Sequence, residues 1–227
     1  MISLRNPKSD LFIPDHLDLP AALQRTTHLA ISAHQDDIEI LAFHGILQCY
    51  GRRDKGFTGV VCTDGAGSPR SGAYADYTDE EMQRIRLQEQ RMAAQIGKYA
   101  AMLQLGYPSS AVKYPADARL PEELCDILNA CRPQVVYTHN PADKHATHIG
   151  VLAATLKAIR MLPPAERPQT VYGCEVWRDL DWMPDTRKVV LEVGGRDNLA
   201  AALLGISDVI EEFRTLVTQQ LHQMLGQ

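Results

Sequence analysis

The chain has 227 residues, length enough for one domain with a substantial core. Its 23 basic and 28 acidic residues leave a formal net charge of −5, which argues against a dominant nucleic-acid-binding surface. No apolar run approaches the roughly 18 residues of a membrane span, and residues 1–20 lack the apolar core of an export signal, so a cytoplasmic protein is expected.

Residues 1–25 read as an irregular leader with a short helix near Leu19–Gln24. A first strand is predicted over 27–33, where residues 29–33 are small or apolar, as in a parallel strand buried on both faces. From Asp37 to about Tyr50, Ile38, Leu41, Ala42, Gly45 and Ile46 recur at helical spacing. A second strand is predicted over 57–62, followed by a Gly-, Ser- and Pro-rich loop over 63–72. Thr78 with Glu81 three residues on forms a capping box opening a helix to about Lys98. A short strand over 102–105 follows, then a helix with Pro121 in its first turn ending near Cys131. Residues 134–138 form another strand, and 144–161 a helix stopped by Pro163-Pro164. Strands are expected over 170–176 and 188–193, and a terminal helix over 207–225. The alternation implies an α/β, Rossmann-like three-layer sandwich with a mainly parallel sheet flanked by helices, formed by a single domain over 1–227. The five cysteines, Cys49, Cys62, Cys125, Cys131 and Cys174, show no C-x-x-C spacing and read as reduced thiols.

Two polar clusters interrupt this pattern, each just past the carboxyl end of an apolar strand. His34-Gln35-Asp36-Asp37 follows the first strand, and His139-Asn140-Pro141-Ala142-Asp143-Lys144-His145-Ala146-Thr147-His148 follows the strand over 134–138. Open α/β sheets bind their ligands at that edge. His145 and His148, three apart, face the same side of a helix. Two imidazoles and a carboxylate suit Zn²⁺ and leave a fourth position open. A spare carboxylate can act as general base, and a spare imidazole can stabilise an oxyanion or protonate a leaving amine. The bland alternative is a polar helix-capping network.

Ala33-His34-Gln35-Asp36-Asp37-Ile38-Glu39, with His145-Ala146-Thr147-His148 downstream, resembles the PIG-L/LmbE-type N-deacetylases, zinc-dependent enzymes that remove acetyl groups from N-acetylglucosamine-containing substrates. The resemblance runs from about Thr27 to Val193. It implies His34, Asp37 and His148 as metal ligands, Asp36 as general base, and His145 as the histidine assisting the intermediate and the leaving amine. Arg86, in the R-x-x-E stretch ending at Glu89, is implied as a contact to substrate oxygens. Asp64, in the Thr63-Asp64-Gly65 loop, and Asn140 are further substrate-binding candidates. Trp177, Trp182, Tyr172, Tyr74 and Tyr77 are secondary sugar-contact candidates, with packing the preferred account of the first three.

Two departures stand out: Gln35 replaces the family's proline, and Thr147 replaces the aspartate common between the two histidines, a role for which Asp143 is a candidate. The expected cofactor is Zn²⁺, with Fe²⁺ or Mn²⁺ able to use the same ligands. A small N-acetylated amino-sugar substrate and a homo-oligomer are expected, with neither a nucleic-acid partner nor a membrane span. Two rival readings are a hydrolase or hydratase of the same scaffold acting on a non-sugar amide or unsaturated carboxylic acid, and a metal- or sugar-binding module without catalysis.

Overall fold

In a computed structural model describing residues 2–113 and 118–207, the apolar runs become strands of one six-stranded sheet. The elements in chain order are β1 (Asp10–Phe12), α1 (Leu19–Gln24), β2 (Thr26–Ser32), α2 (Asp37–Leu41), α3 (Phe43–Cys49), β3 (Gly56–Thr63), α4 (Asp79–Ile96) and β4 (Ala101–Tyr107). These are followed by α5 (Ser109–Lys113), α6 (Arg119–Cys131), β5 (Val135–His139), α7 (Ala146–Met161), β6 (Thr170–Cys174) and α8 (Asp197–Leu204). The strand order is β1-β4-β3-β2-β5-β6, with every pairing parallel except that of β1 on β4.

Strand alternation divides the core into two layers. Leu29, Ile31, Val60, Cys62, Leu103 and Val136 enter one layer with residues of α6 and α7. Ala30, Phe57, Val61, Met102 and Tyr137 enter the other, with residues of α2, α3, α4 and α8. Burial on both faces explains why the central strands read as continuous apolar runs. The Thr78–Glu81 capping box opens α4 as the sequence implies.

Three expectations are corrected. The helix over 37–50 breaks at Ala42, and its second part lays Gly45 on the Tyr137 ring, where an added Cβ would come within 2.6 Å of the ring. Residues 188–193 form no strand: Val189 and Val190 are 68% and 75% exposed, and β-branched composition without a neighbouring strand makes no ladder. The leader contributes β1, an edge strand in register Asp10↔Gln104. The apolar stretch near 198–206 becomes α8, which buries Leu199 and Leu203 in the second layer. The terminal helix expected over 207–225 lies outside the described residues except for Ser207. No helix among the described residues is long and apolar enough to cross a membrane.

Close packing of α7 on α5 depends on Gly150, whose missing Cβ would sit 2.2 Å from the Val112 carbonyl oxygen. Backbone cannot yield there as a side chain would. Gly150→Ala is expected to destabilise the chain by about 2–3 kcal/mol in urea unfolding, the cost of overpacking a filled core. A midpoint unchanged from the parent would show that α5 gives way freely.

Candidate functional site

Strand order reverses at β2: the chain moves outward through β3 and β4, then returns to place β5 on the other side of β2. The crevice beyond such a reversal is where this class of sheet binds ligands. Parallel register Ala30↔Tyr137 and Ile31↔Thr138 brings the ends of β2 and β5 level. The two polar clusters therefore meet.

His34 Nδ1, Asp37 Oδ2 and His148 Nε2 form a triangle with edges of 3.3, 3.2 and 3.7 Å. A tetrahedral ion with bonds of roughly 2.0–2.1 Å has ligand–ligand edges of about 3.3 Å. His148 is nine-tenths or more shielded, and burial lowers its pKa to about 4, so the ring is neutral. Its Nδ1–H donates to Asp143 Oδ2 at 2.9 Å, which leaves the Nε2 lone pair facing the triangle. A carboxylate behind a ligating histidine is a common support of metal sites. Burial works to raise the Asp37 carboxyl, but the neighbouring His148, His139 and His34 hold it well below its usual range. The donor set and spacing fit a divalent cation.

Two other triads of donor atoms cluster here, His34 with His145 and His148, and Asp37 with His139 and His148. Hydrogen bonding disfavours both. The Ala33 N–H donates to His139 Nε2 at 2.9 Å, occupying the lone pair that faces Asp37. The Thr147 N–H donates to His145 Nδ1 at 3.3 Å, which puts the proton of the neutral ring on Nε2. His145 then presents a donor. Burial and the neighbouring His34 lower its pKa, consistent with a neutral ring.

Asp36 adopts φ +78°, a left-handed conformation uncommon outside glycine. Its N–H donates to Gln90 Oε1 at 3.1 Å, and its Oδ2 accepts from Arg86 Nη2 at 2.7 Å and from the Ser207 hydroxyl at 3.2 Å. Burial raises the Asp36 carboxyl while the Arg86 guanidinium pulls against that shift. Gln90 Nε2 continues to Glu39 Oε1, which also accepts from the Tyr99 hydroxyl at 2.6 Å. Glu39 thus supports the site through Gln90, and burial pushes its carboxyl up to about 7.

Arg86, Asp64 and Asn140, the expected substrate contacts, are each held by the protein's own groups. Arg86 is 1% exposed, and its guanidinium also binds the Gln35 carbonyl, Glu89 and Ser207. Asp64 spends one oxygen on the Ala66 N–H and the other on Gln83. Asn140 bonds the Cys174 carbonyl and the Ala142 N–H, so it builds the loop. Gln35 is buried and donates to the Thr63 carbonyl and Gln104. Tyr172 stacks on Tyr137, Tyr74 packs edge-on to Tyr77, and Trp182 stands half-exposed.

Several site residues escape a reading of spacing alone. His139 is fully buried and stacks on His148 with centroids 3.9 Å apart. Its position at the end of β5 was the available signal. Gln90, Ser207 and Trp177 carry none: their importance arises from helices and loops packing over the site. Trp177, assigned to packing by sequence, donates to Asp143 Oδ1 at 3.2 Å.

The family model PIG-L, described as GlcNAc-PI de-N-acetylase, matches residues 29–159. No curated protein matches the chain. Among solved structures, GalB, the 4-carboxy-2-hydroxymuconate hydratase from Pseudomonas putida KT2440, is similar with a TM-score of 0.66 and 19% identity, over 88% of this chain and 89% of that one. The N,N'-diacetylchitobiose deacetylase from Pyrococcus horikoshii has a TM-score of 0.58 and 14% identity, over 93% and 81%. A triple mutant of a deacetylase in the teicoplanin biosynthetic pathway has a TM-score of 0.56 and 18% identity, over 80% and 82%. At these identities the likeness concerns the fold. The family match spans more than half of the sequence and contains both polar clusters, and the chain belongs to the PIG-L family.

Proposed function

We propose that the chain is a zinc-dependent N-deacetylase that hydrolyses the acetamide of an N-acetylglucosamine-type sugar or sugar conjugate. The observation that carries this reading is the His34–Asp37–His148 triangle of near-tetrahedral edge length, with a second carboxylate, Asp36, beside it in the chain. When bound, Zn²⁺ would bring the pKa of a water to roughly 7 and polarise the acetamide carbonyl. Asp36 accepts a proton from the attacking water, with Arg86 and Gln90 holding its carboxylate and backbone in place. His145 directs its Nε2–H at the carbonyl oxygen as negative charge develops there. The C–N bond breaks, the amine takes up the proton, and acetate and a free amino sugar leave. A binding module would need neither the spare carboxylate nor the spare imidazole.

GalB shares this fold and carries out a hydration, so the assay includes a second arm. Acetate release should appear with N-acetylglucosamine conjugates, whereas turnover of unsaturated carboxylic acids without any acetate release would replace deacetylation by hydration. Metal bound without either activity would favour a binding module. Asp36→Asn should lower kcat by about 10²–10⁴-fold while the purified chain retains its zinc. Near-parental turnover would remove Asp36 as the base.

Gln90 satisfies the N–H of a strained residue and one oxygen of a buried carboxylate. Gln90→Leu leaves both without that partner and should cost about 1–3 kcal/mol in urea unfolding. The result that speaks against this role for Gln90 is a stability equal to the parent's.

A further inference from the structure

We propose that Trp177 is a positioning residue for the metal ligand His148, acting through Asp143, and that its indole reports ion binding. The inference rests on reading His34, Asp37 and His148 as the metal site. The Asp143 side chain is fully buried, and three donors fix it. His148 Nδ1–H meets Oδ2 at 2.9 Å, while Oδ1 accepts the His145 N–H at 2.8 Å and the Trp177 indole N–H at 3.2 Å. The His145 bond belongs to the same short turn as Asp143 and ties the carboxylate only to its own loop. Trp177 comes from beyond β6, past the residues matched by the family model, and ties the carboxylate to a separate part of the fold.

The indole also lies over the ligand itself. Its ring is 5.7 Å from that of His148 and inclined by 22°, and the Lys144 ammonium sits 4.3 Å from the indole on a cation–π contact. Trp177 therefore packs near the imidazole that carries the metal-facing lone pair and orients the carboxylate behind it. Loss of its N–H would let Asp143 rotate and His148 follow. Supporting carboxylates and their partners typically tune metal affinity by 10–100-fold.

Trp177→Phe keeps an aromatic ring and removes the N–H. Zinc affinity, measured by chelator competition on metal-stripped protein, should fall roughly 10-fold or more. Asp143→Asn should also weaken binding, and the double variant should bind no more weakly than Asp143→Asn alone, because both changes act on one link. Trp177→His, which retains a ring N–H, should bind more tightly than Trp177→Phe, a rescue that packing alone does not provide. The chain has two tryptophans, so Trp182→Phe leaves Trp177 as the sole indole, and Co²⁺ should quench its emission. Thermal midpoints on each variant separate lost affinity from lost fold. Zinc affinity of Trp177→Phe within about two-fold of the parent, fully additive losses, or an emission unchanged by Co²⁺ would overturn the inference. If the unaltered chain binds neither ion, the metal site itself is wrong and the inference falls with it.

Discussion

The parallel pairing of β2 with β5 is the constraint on which the site depends. Residues 34–37 and 139–148 lie a hundred residues apart and meet only because Ile31 is in register with Thr138. Pairing shifted by one residue would turn the core side chains of β5 to the opposite layer relative to those of β2. Val136 would then face the layer built by α2, α3, α4 and α8, and Tyr137 the layer built with α6 and α7. The two apolar layers therefore fix the register, and the register fixes the triangle. Core packing and the convergence of the three donor atoms are the same requirement seen at two ends of the strand.

Convergence of three lone pairs within 3.7 Å is unfavourable without a positive charge among them, and the surroundings are arranged to keep it. Asp143 orients one imidazole, and the His34 N–H donates to Asp37 Oδ2 at 2.7 Å, tying the two donors together along the turn. That turn forces Asp36 into the left-handed region, a conformation that costs on the order of 1–3 kcal/mol for a residue with a side chain. Gln90 and Arg86 hold it from α4. Arg86 is itself held close by Gly65, at φ +75°, where an added Cβ would approach Arg86 Cβ to 2.9 Å. A buried guanidinium needs nearby carboxylates, and Asp36 and Glu89 supply them. The arginine thus ties the position of Asp36 to the packing of α4 and the loop after β3.

The sheet was legible because parallel strands buried on both faces leave runs of small and apolar residues, as at 29–33 and 59–62. The clusters were legible because charge at a strand end has few structural uses. The strand expected over 188–193 was not, since β-propensity describes a surface that needs a partner and the sequence does not say whether one is near. Arg86 shows the same limit in reverse. Its place in an R-x-x-E stretch marks it as functional but cannot tell a side chain reaching for substrate from one buried against Asp36. Trp177 and Ser207 reach the site only through tertiary packing, and no local spacing announces them.

Thr147 changes what His145 can do in the proposed reaction. An aspartate there could accept a proton from His145 Nδ1 and favour the imidazolium form. Threonine offers no such charge, and its Oγ1 is buried without a hydrogen-bond partner. The Thr147 backbone N–H points at Nδ1 instead, and His145 caps the amino end of the 16-residue α7, where the helix dipole opposes added positive charge. A neutral ring with its proton on Nε2 can donate a hydrogen bond to an oxyanion, but it is a poor source of a proton for a leaving amine. In that case the proton that Asp36 takes from water is the one available to the amine. In the proposed reaction, this departure from the family pattern would concentrate proton transfer on Asp36 and leave His145 the electrostatic work.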